Sequence, residues 1–192
     1  MDYQNITNYI FELGALKKFR HSGFKMAGVI QPDSIAEHAF RAAIIAYFIA
    51  KEEGVNDPEK IGFMCLIHDN AEARISDLHK IATRYIDKKD AEMNAFKEQI
   101  QKLPEDTQSD FLDYFSQYEE KTTIEGKILR DADLLETAFQ AKEYMDLGYT
   151  ACEGWIDNAE AVLNTETGKK LMKIVRKTKF TDWWKGLKKI ER

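Results

Sequence analysis

Proline is scarce in this chain, at three residues in 192, and there are only ten glycines. So few chain breakers leave long uninterrupted segments with helical periodicity. No run alternates apolar and polar residues well enough to read as a strand, so the expected fold is all-α, a compact helical bundle. Cysteine is scarcer still. Cys65 and Cys152 have no framework spacing, which excludes a disulfide scaffold and fits a reducing, cytoplasmic setting. An excess of positive charge is also missing: 28 Lys and Arg against 33 Asp and Glu give a net charge of −5. That excludes a broad nucleic-acid-binding stripe. It leaves room for a small phosphorylated ligand, provided a metal ion or a few local cations neutralise it. The opening MDYQNITNYIFELGALKKF is amphipathic with an acid at its start, so neither a signal peptide nor a membrane span is expected there. Repeats, low-complexity tracts and linkers are absent too.

What remains is ordinary globular composition, 44% apolar and 32% charged. One domain over 1–192 is expected, with a core over roughly 16–149 and the C-terminal helices of 150–192 packed on it. Tyr3, Ile6, Tyr9, Ile10, Leu13 and Leu16 make one helical stripe, and RHSGFKMAGVIQPD reads as a loop. Ser34 with Glu37 is a capping box that opens a second helix, ending near Gly54 and apolar nearly all round from Ala42 to Ala50. Asp57-Pro58 starts a third, expected to run into the EARISD segment. Further helices are expected from Lys88, from Pro104, over Thr123–Leu147 with Gly148 after it, around Trp155–Leu163 and over Thr165–Thr178. Trp183 and Trp184 read as a packing or dimer-interface patch.

The chain is organised around IGFMCLIHDNAEARISD, Ile61–Asp77, where His68 and Asp69 stand side by side after an apolar run. With His38 near a capped helix start and Asp133 in DADLLE, they form four candidate metal ligands on three expected helices. Imidazole nitrogens with carboxylate oxygens suit a divalent ion such as Mn, Co, Fe, Ni, Zn or Mg, and such an ion eases deprotonation of water and draws charge from a phosphoryl oxygen. Glu72, at i+4 from His68, is expected on the same helix face, where its carboxylate can hold or deprotonate the attacking water. Asp77 is placed to act on the leaving oxygen or to orient water. Lys80 and Arg84 are cations that can meet a substrate phosphate, or form a solvated basic face. Taken singly each residue has a bland reading: a helix-start histidine, a chance His-Asp dipeptide, solvated acids. Their joint placement at capped, apolar helices points to a metal-dependent phosphate hydrolase.

The pattern SIAEH, then IHDNAEARISD, then KILRDADLLE resembles the HD-domain phosphohydrolases, and within them the 5′-deoxynucleotidase branch, over roughly Leu16–Tyr149. The resemblance implies His38, His68, Asp69 and Asp133 as ligands of one divalent metal, with Asp131 a neighbour, and Glu72 and Asp77 as catalytic carboxylates. It implies hydrolysis of deoxyribonucleoside 5′-monophosphates to deoxynucleoside and phosphate by a homodimer. In the loop before the first histidine the branch carries an arginine close to a tryptophan, both touching the nucleotide. Here the arginine position falls on Arg20 or His21, and Phe24 stands for the tryptophan. The choice between deoxyribose and ribose is therefore open. Ser76 stands where the branch has a glycine before the catalytic aspartate. Other substrates of the superfamily, (p)ppGpp or a cyclic nucleotide, are alternatives. The NAEAR after His-Asp lacks the paired acids of alarmone hydrolases, and four histidines leave few for a second metal. A catalytically silent metal- or nucleotide-binding protein is a further alternative.

Overall fold

The computed structural model describes residues 2–187. Among them lie ten α-helices and no strand: α1 (Tyr3–Leu13), α2 (Ser22–Met26), α3 (Ile35–Glu52), α4 (Pro58–Ile67), α5 (Glu72–Ile75), α6 (Lys88–Ile100), α7 (Glu105–Glu120), α8 (Ile124–Asp146), α9 (Glu153–Glu160) and α10 (Glu166–Lys177). The fold is all-α, as the periodicity requires. The start signals act through their side chains. Ser34 accepts from the Glu37 amide while Glu37 reaches back to Ser34, and Asp57, Thr123 and Thr165 cap α4, α8 and α10 in the same sense. Gly148 closes α8 at φ +107°, a conformation few side chains tolerate.

The centre is a three-helix contact of α3, α4 and α8, with α9 and α10 packed on α8. Ala42, Ala46 and Ala50 on α3 are fully buried and let the helices approach closely, while Ile128, Leu129 and Leu135 fill the space from α8. Gly126 is needed for the same reason, because a Cβ there would meet the Gln117 carbonyl oxygen of α7 at 2.2 Å. A second, smaller cluster holds Phe96, Ile100, Leu103 and Phe115 of the α6–α7 region, with Ile6 and Tyr9 of α1 against it. Met64 and Cys65 belong to the first cluster and Ala71 to the second. The chain from His68 to Asn70 therefore crosses between two packed bodies, and its position is fixed at both ends.

Three expectations need correction. The α1 stripe is narrower than its spacing implied: Ile6 and Tyr9 face the small cluster, but Tyr3 and Ile10 are exposed, as the helix docks along a single line. The 20–33 segment is not all loop, since Ser22–Met26 forms a turn and a half of helix. The third helix stops at Ile67 rather than running through Glu72. Amide-to-carbonyl bonds from Asn70 to Ile67 and from Glu72 to Asp69 tighten the chain to three residues per turn. The Asn70 amide group donates to the Tyr9 hydroxyl, and the Gln99 amide group donates to the Asn70 carbonyl, anchoring that turn to α1 and α6.

Candidate metal centre

Each candidate ligand comes from a different part of this frame. His38 lies in the first turns of α3, His68 ends α4, Asp69 sits in the tightened turn, and Asp133 faces them from α8. His68 Nε2 is 3.1 Å from Asp69 Oδ2. His38 Nε2 is 3.6 Å from the same oxygen and 3.5 Å from Asp133 Oδ1. Donor atoms of His38, His68 and Asp69 all lie within 4.8 Å of one another. Both Nε2 atoms are buried with no hydrogen-bond partner, and leaving such atoms unsatisfied is costly unless something else binds them. The donor set fits a divalent ion, which would be held by these two imidazoles and two carboxylates.

The far sides of the candidate ligands are pinned. His68 Nδ1 donates to the Cys65 carbonyl at 2.5 Å, and His38 Nδ1 lies 2.5 Å from Glu136 Oε2. The Tyr118 hydroxyl and Arg130 Nη1 donate to Asp133 Oδ2 at 2.9 and 2.7 Å, which leaves Oδ1 toward His38. Asp131, two residues earlier, is taken up elsewhere: it accepts from the amides of Asn164 and Thr165 and from the Thr165 hydroxyl at the start of α10. Charge accumulates accordingly. Burial alone would lower the pKa of His38, but Glu136, then Asp133 and Asp69, carry it up to about 9. His68 also reaches about 9, against burial, chiefly through Asp69. Burial opposes ionisation of Asp69, yet His68 and His38 hold its carboxyl well below the usual range. The negative charge that favours the imidazolium forms here would equally favour a metal cation in place of those protons.

Residues 13–175 match the HD domain family. The chain is a member of the HD-domain family. It is 30% identical over 145 residues to the 5′-deoxynucleotidase HDDC2 of Bos taurus, covering 75% of this chain and 70% of that one. Against the 5′-deoxynucleotidase HDDC2 of Dictyostelium discoideum the identity is 30% over 150 residues, 72% and 78% of the two chains. Among solved structures, a conserved hypothetical protein from Pyrococcus furiosus superposes with a TM-score of 0.77 at 30% identity, covering 90% of this chain and 99% of that one.

Around the four candidate ligands the HD domain gathers some expected residues and not others. Glu72 opens α5, not a continuation of α4, and is 2% exposed, with Oε2 unpartnered. Burial, with the Asp69 charge adding to it, holds its carboxyl well above the usual range, against the pull of Lys88. Asp77 Oδ2 accepts from the amide and hydroxyl of Ser22 at 2.6 and 2.8 Å, so that oxygen ties the chain after α5 to the start of α2. Ser76, just before it, has φ +58° and ψ 172°, a region essentially reserved for glycine.

An antiparallel bridge between Arg20 and Ser34 sends successive side chains to opposite sides. Arg20 turns out to Glu37 and the Pro32 carbonyl. His21 turns in, paired with Asp33 at 2.9 Å, its ring centroid 5.0 Å from that of His38. Phe24, placed by the resemblance where a tryptophan touches the nucleotide, does not present an open ring face. It is 2% exposed, stacked on Trp155 at 5.2 Å, with Tyr144 edge-on at 5.0 Å, so the ring fastens the loop to α8 and α9. Lys80 and Arg84 are exposed and make no ion pair among the described residues.

The sequence reading missed Lys88, the first residue of α6. Its Nζ lies 3.0 Å from Glu92 Oε1 and 3.4 Å from Glu72 Oε1, and it lowers the pKa of Asp69. Nothing local distinguishes Lys88 from its neighbour Lys89. Only the return of α6 beside the His68–Glu72 turn does. Tyr118, Arg130 and Glu136 were missed for the same reason, being legible only once α7 and α8 are packed.

Proposed function

We propose that this HD domain is a metal-dependent 5′-deoxynucleotidase, cleaving deoxyribonucleoside 5′-monophosphates to deoxynucleoside and phosphate. The observation that carries the reading is the convergence of two buried, partnerless imidazole nitrogens with two carboxylates beside a buried glutamic acid. Relatives named 5′-deoxynucleotidase support the choice of substrate class. His38, His68, Asp69 and Asp133 are the ligand set. When bound, a divalent ion there supplies Lewis acidity toward a phosphoryl oxygen and eases deprotonation of water.

The rest is done by the chain. Glu72 acts in its ionised form, which burial and Asp69 make a stronger base, and takes the proton of the attacking water as the water oxygen bonds to phosphorus and the P–O5′ bond breaks. The proton that Glu72 takes up passes to the leaving O5′, and Asp77, held through one oxygen by Ser22, accepts from the departing hydroxyl with the other. Lys88, steadied by Glu92, neutralises the phosphoryl group. Lys80 and Arg84, exposed nearby in sequence, draw the anion in. His21 meets the sugar side of the substrate, Arg20 reaches it only by leaving Glu37, and Phe24 shapes that wall from behind.

The same resemblance carries a homodimer, and the exposed Phe40, Ile44 and Phe48 on one face of α3 support it. The deciding experiment is phosphate release after stripping the protein and adding back single divalent metals. The panel pairs each deoxynucleoside monophosphate with its ribonucleotide and includes a cyclic nucleotide, ppGpp and an aryl phosphate. Preferential release from deoxynucleotides is expected. Equal rates on ribonucleotides would remove the sugar selectivity, and activity on ppGpp or a cyclic nucleotide alone would move the protein to another branch.

A further inference from the structure

The two histidine ligands are held from behind in different ways. His68 Nδ1 faces a backbone carbonyl, which is a neutral acceptor. His38 Nδ1 faces a carboxylate, Glu136 Oε2, and both side chains are 1% exposed. Glu136 takes no part in the ligand cluster, and with Arg41 and Gln140 it faces the cavity on the α8 side. A buried carboxylate so placed is expensive unless its charge is matched. Arg41 matches it, donating from Nε to Glu136 Oε1 at 2.8 Å, from Nη2 to Gln140 at 2.6 Å, and from Nη1 to Glu143 at 2.5 Å. The guanidinium plane is thus fixed at three points on one face of α8, one turn apart, and can orient Glu136 in only one way. The chain runs outward as His38, Glu136, Arg41, and Arg41 with Gln140 lines a cavity of about 460 Å³ open to solvent.

We propose that Glu136 is a positioning residue for the metal centre. It holds the His38 ring with its Nδ1–H toward α8 and its Nε2 lone pair toward Asp69 and Asp133, and Arg41 holds Glu136. The carboxylate does two things a backbone carbonyl cannot. The first is to fix the tautomer in which Nε2 is the donor atom through a side chain that Arg41 can orient, and the second is to raise the basicity of that nitrogen with a full negative charge. Metal affinity is therefore set from the α8 side of His38, by residues outside the ligand set.

The inference rests on the metal-centre reading, and the test separates the two. Stripped full-length protein is titrated with Co²⁺ against a competing chelator, and the metal-free melting temperature is recorded for each variant. E136A is expected to lose about 10- to 100-fold in Co²⁺ affinity. E136Q, which keeps an oxygen acceptor and the shape but not the charge, recovers part of that loss. R41M falls in the same direction by less. D131N is the control for stability, because Asp131 is equally buried but serves the start of α10. It lowers the melting temperature and leaves Co²⁺ affinity unchanged. Should E136A fail to fold, the E136Q titration decides. If E136Q and R41M bind Co²⁺ as tightly as the unmodified chain, Glu136 is a structural ion pair and the proposal is wrong. If the unmodified chain binds no Co²⁺, the metal-centre reading itself fails.

Discussion

At the scale of single residues, Ser76 and Lys88 make the sharpest points. Ser76 holds a glycine conformation one residue before Asp77, and relieving it should stabilise the fold. Ser76→Gly is expected to gain about 1 kcal/mol, net of the extra freedom glycine gives the unfolded chain. Chemical denaturation measures this, and a loss of stability would show that the φ +58° turn is not strained. Lys88→Met should lower kcat/KM by about 10- to 100-fold, the worth of one charge-assisted contact, while the metal stays bound. Steady-state kinetics beside metal analysis checks it. The proposed ligands were legible as candidates from motif spacing, because His38, His68, Asp69 and Asp133 each carry a local signal. Lys88 and Glu136 carry none. Glu136 meets His38 across 98 positions, a distance that only the α3–α8 contact closes.

At the scale of elements, the capped starts were readable because a cap is a local bargain between a side chain and the next amides, as Ser34 with Glu37 shows. The end of α4 was not, because what stops it is remote: Tyr9 and Gln99 hold the turn at Asn70. The seating of α1 also depends on a remote partner. Arg74 of α5 binds both oxygens of Glu12, at 2.5 and 3.1 Å, and reaches Glu98 of α6. Arg74 keeps the Glu12 carboxyl below its ordinary 4.5, burial opposing and Gln99 assisting. A depressed carboxylate pKa stabilises the fold above the unfolded value, and that stability is lost as pH falls through the folded value. Glu12→Gln should therefore cost about 1 kcal/mol at neutral pH, allowing for partial exposure. The gap from the unmodified chain should close below pH 4.5 as Glu12 protonates. Thermal melting across pH 3–7 reads this out. A gap that persists at the acid end would mean that the α1 contact is not ionic.

At the scale of the whole molecule, two packed clusters share the His68–Asn70 crossing, so an ion held there ties α3, α4 and α8 together. Among the described residues no helix is long and apolar enough to cross a membrane. A divalent metal at a hundredfold excess over its dissociation constant should stabilise the protein by about 2.7 kcal/mol. A chelator should remove that gain. Melting that ignores both would place metal binding outside the folded core. The α3 face of Phe40, Ile44 and Phe48 is the surface where a second copy is expected. If the proposed dimer forms there, light scattering should report dimer for the unmodified chain and monomer for Phe48→Glu. The measurement that tests the central claim most directly is a paired one on Glu72→Gln: bound Co²⁺ per chain, and phosphate release from deoxynucleoside monophosphates. The account predicts full metal content with turnover reduced by about 10²- to 10⁴-fold, the range for loss of a general base. Turnover at the unmodified rate, with metal bound, would contradict it.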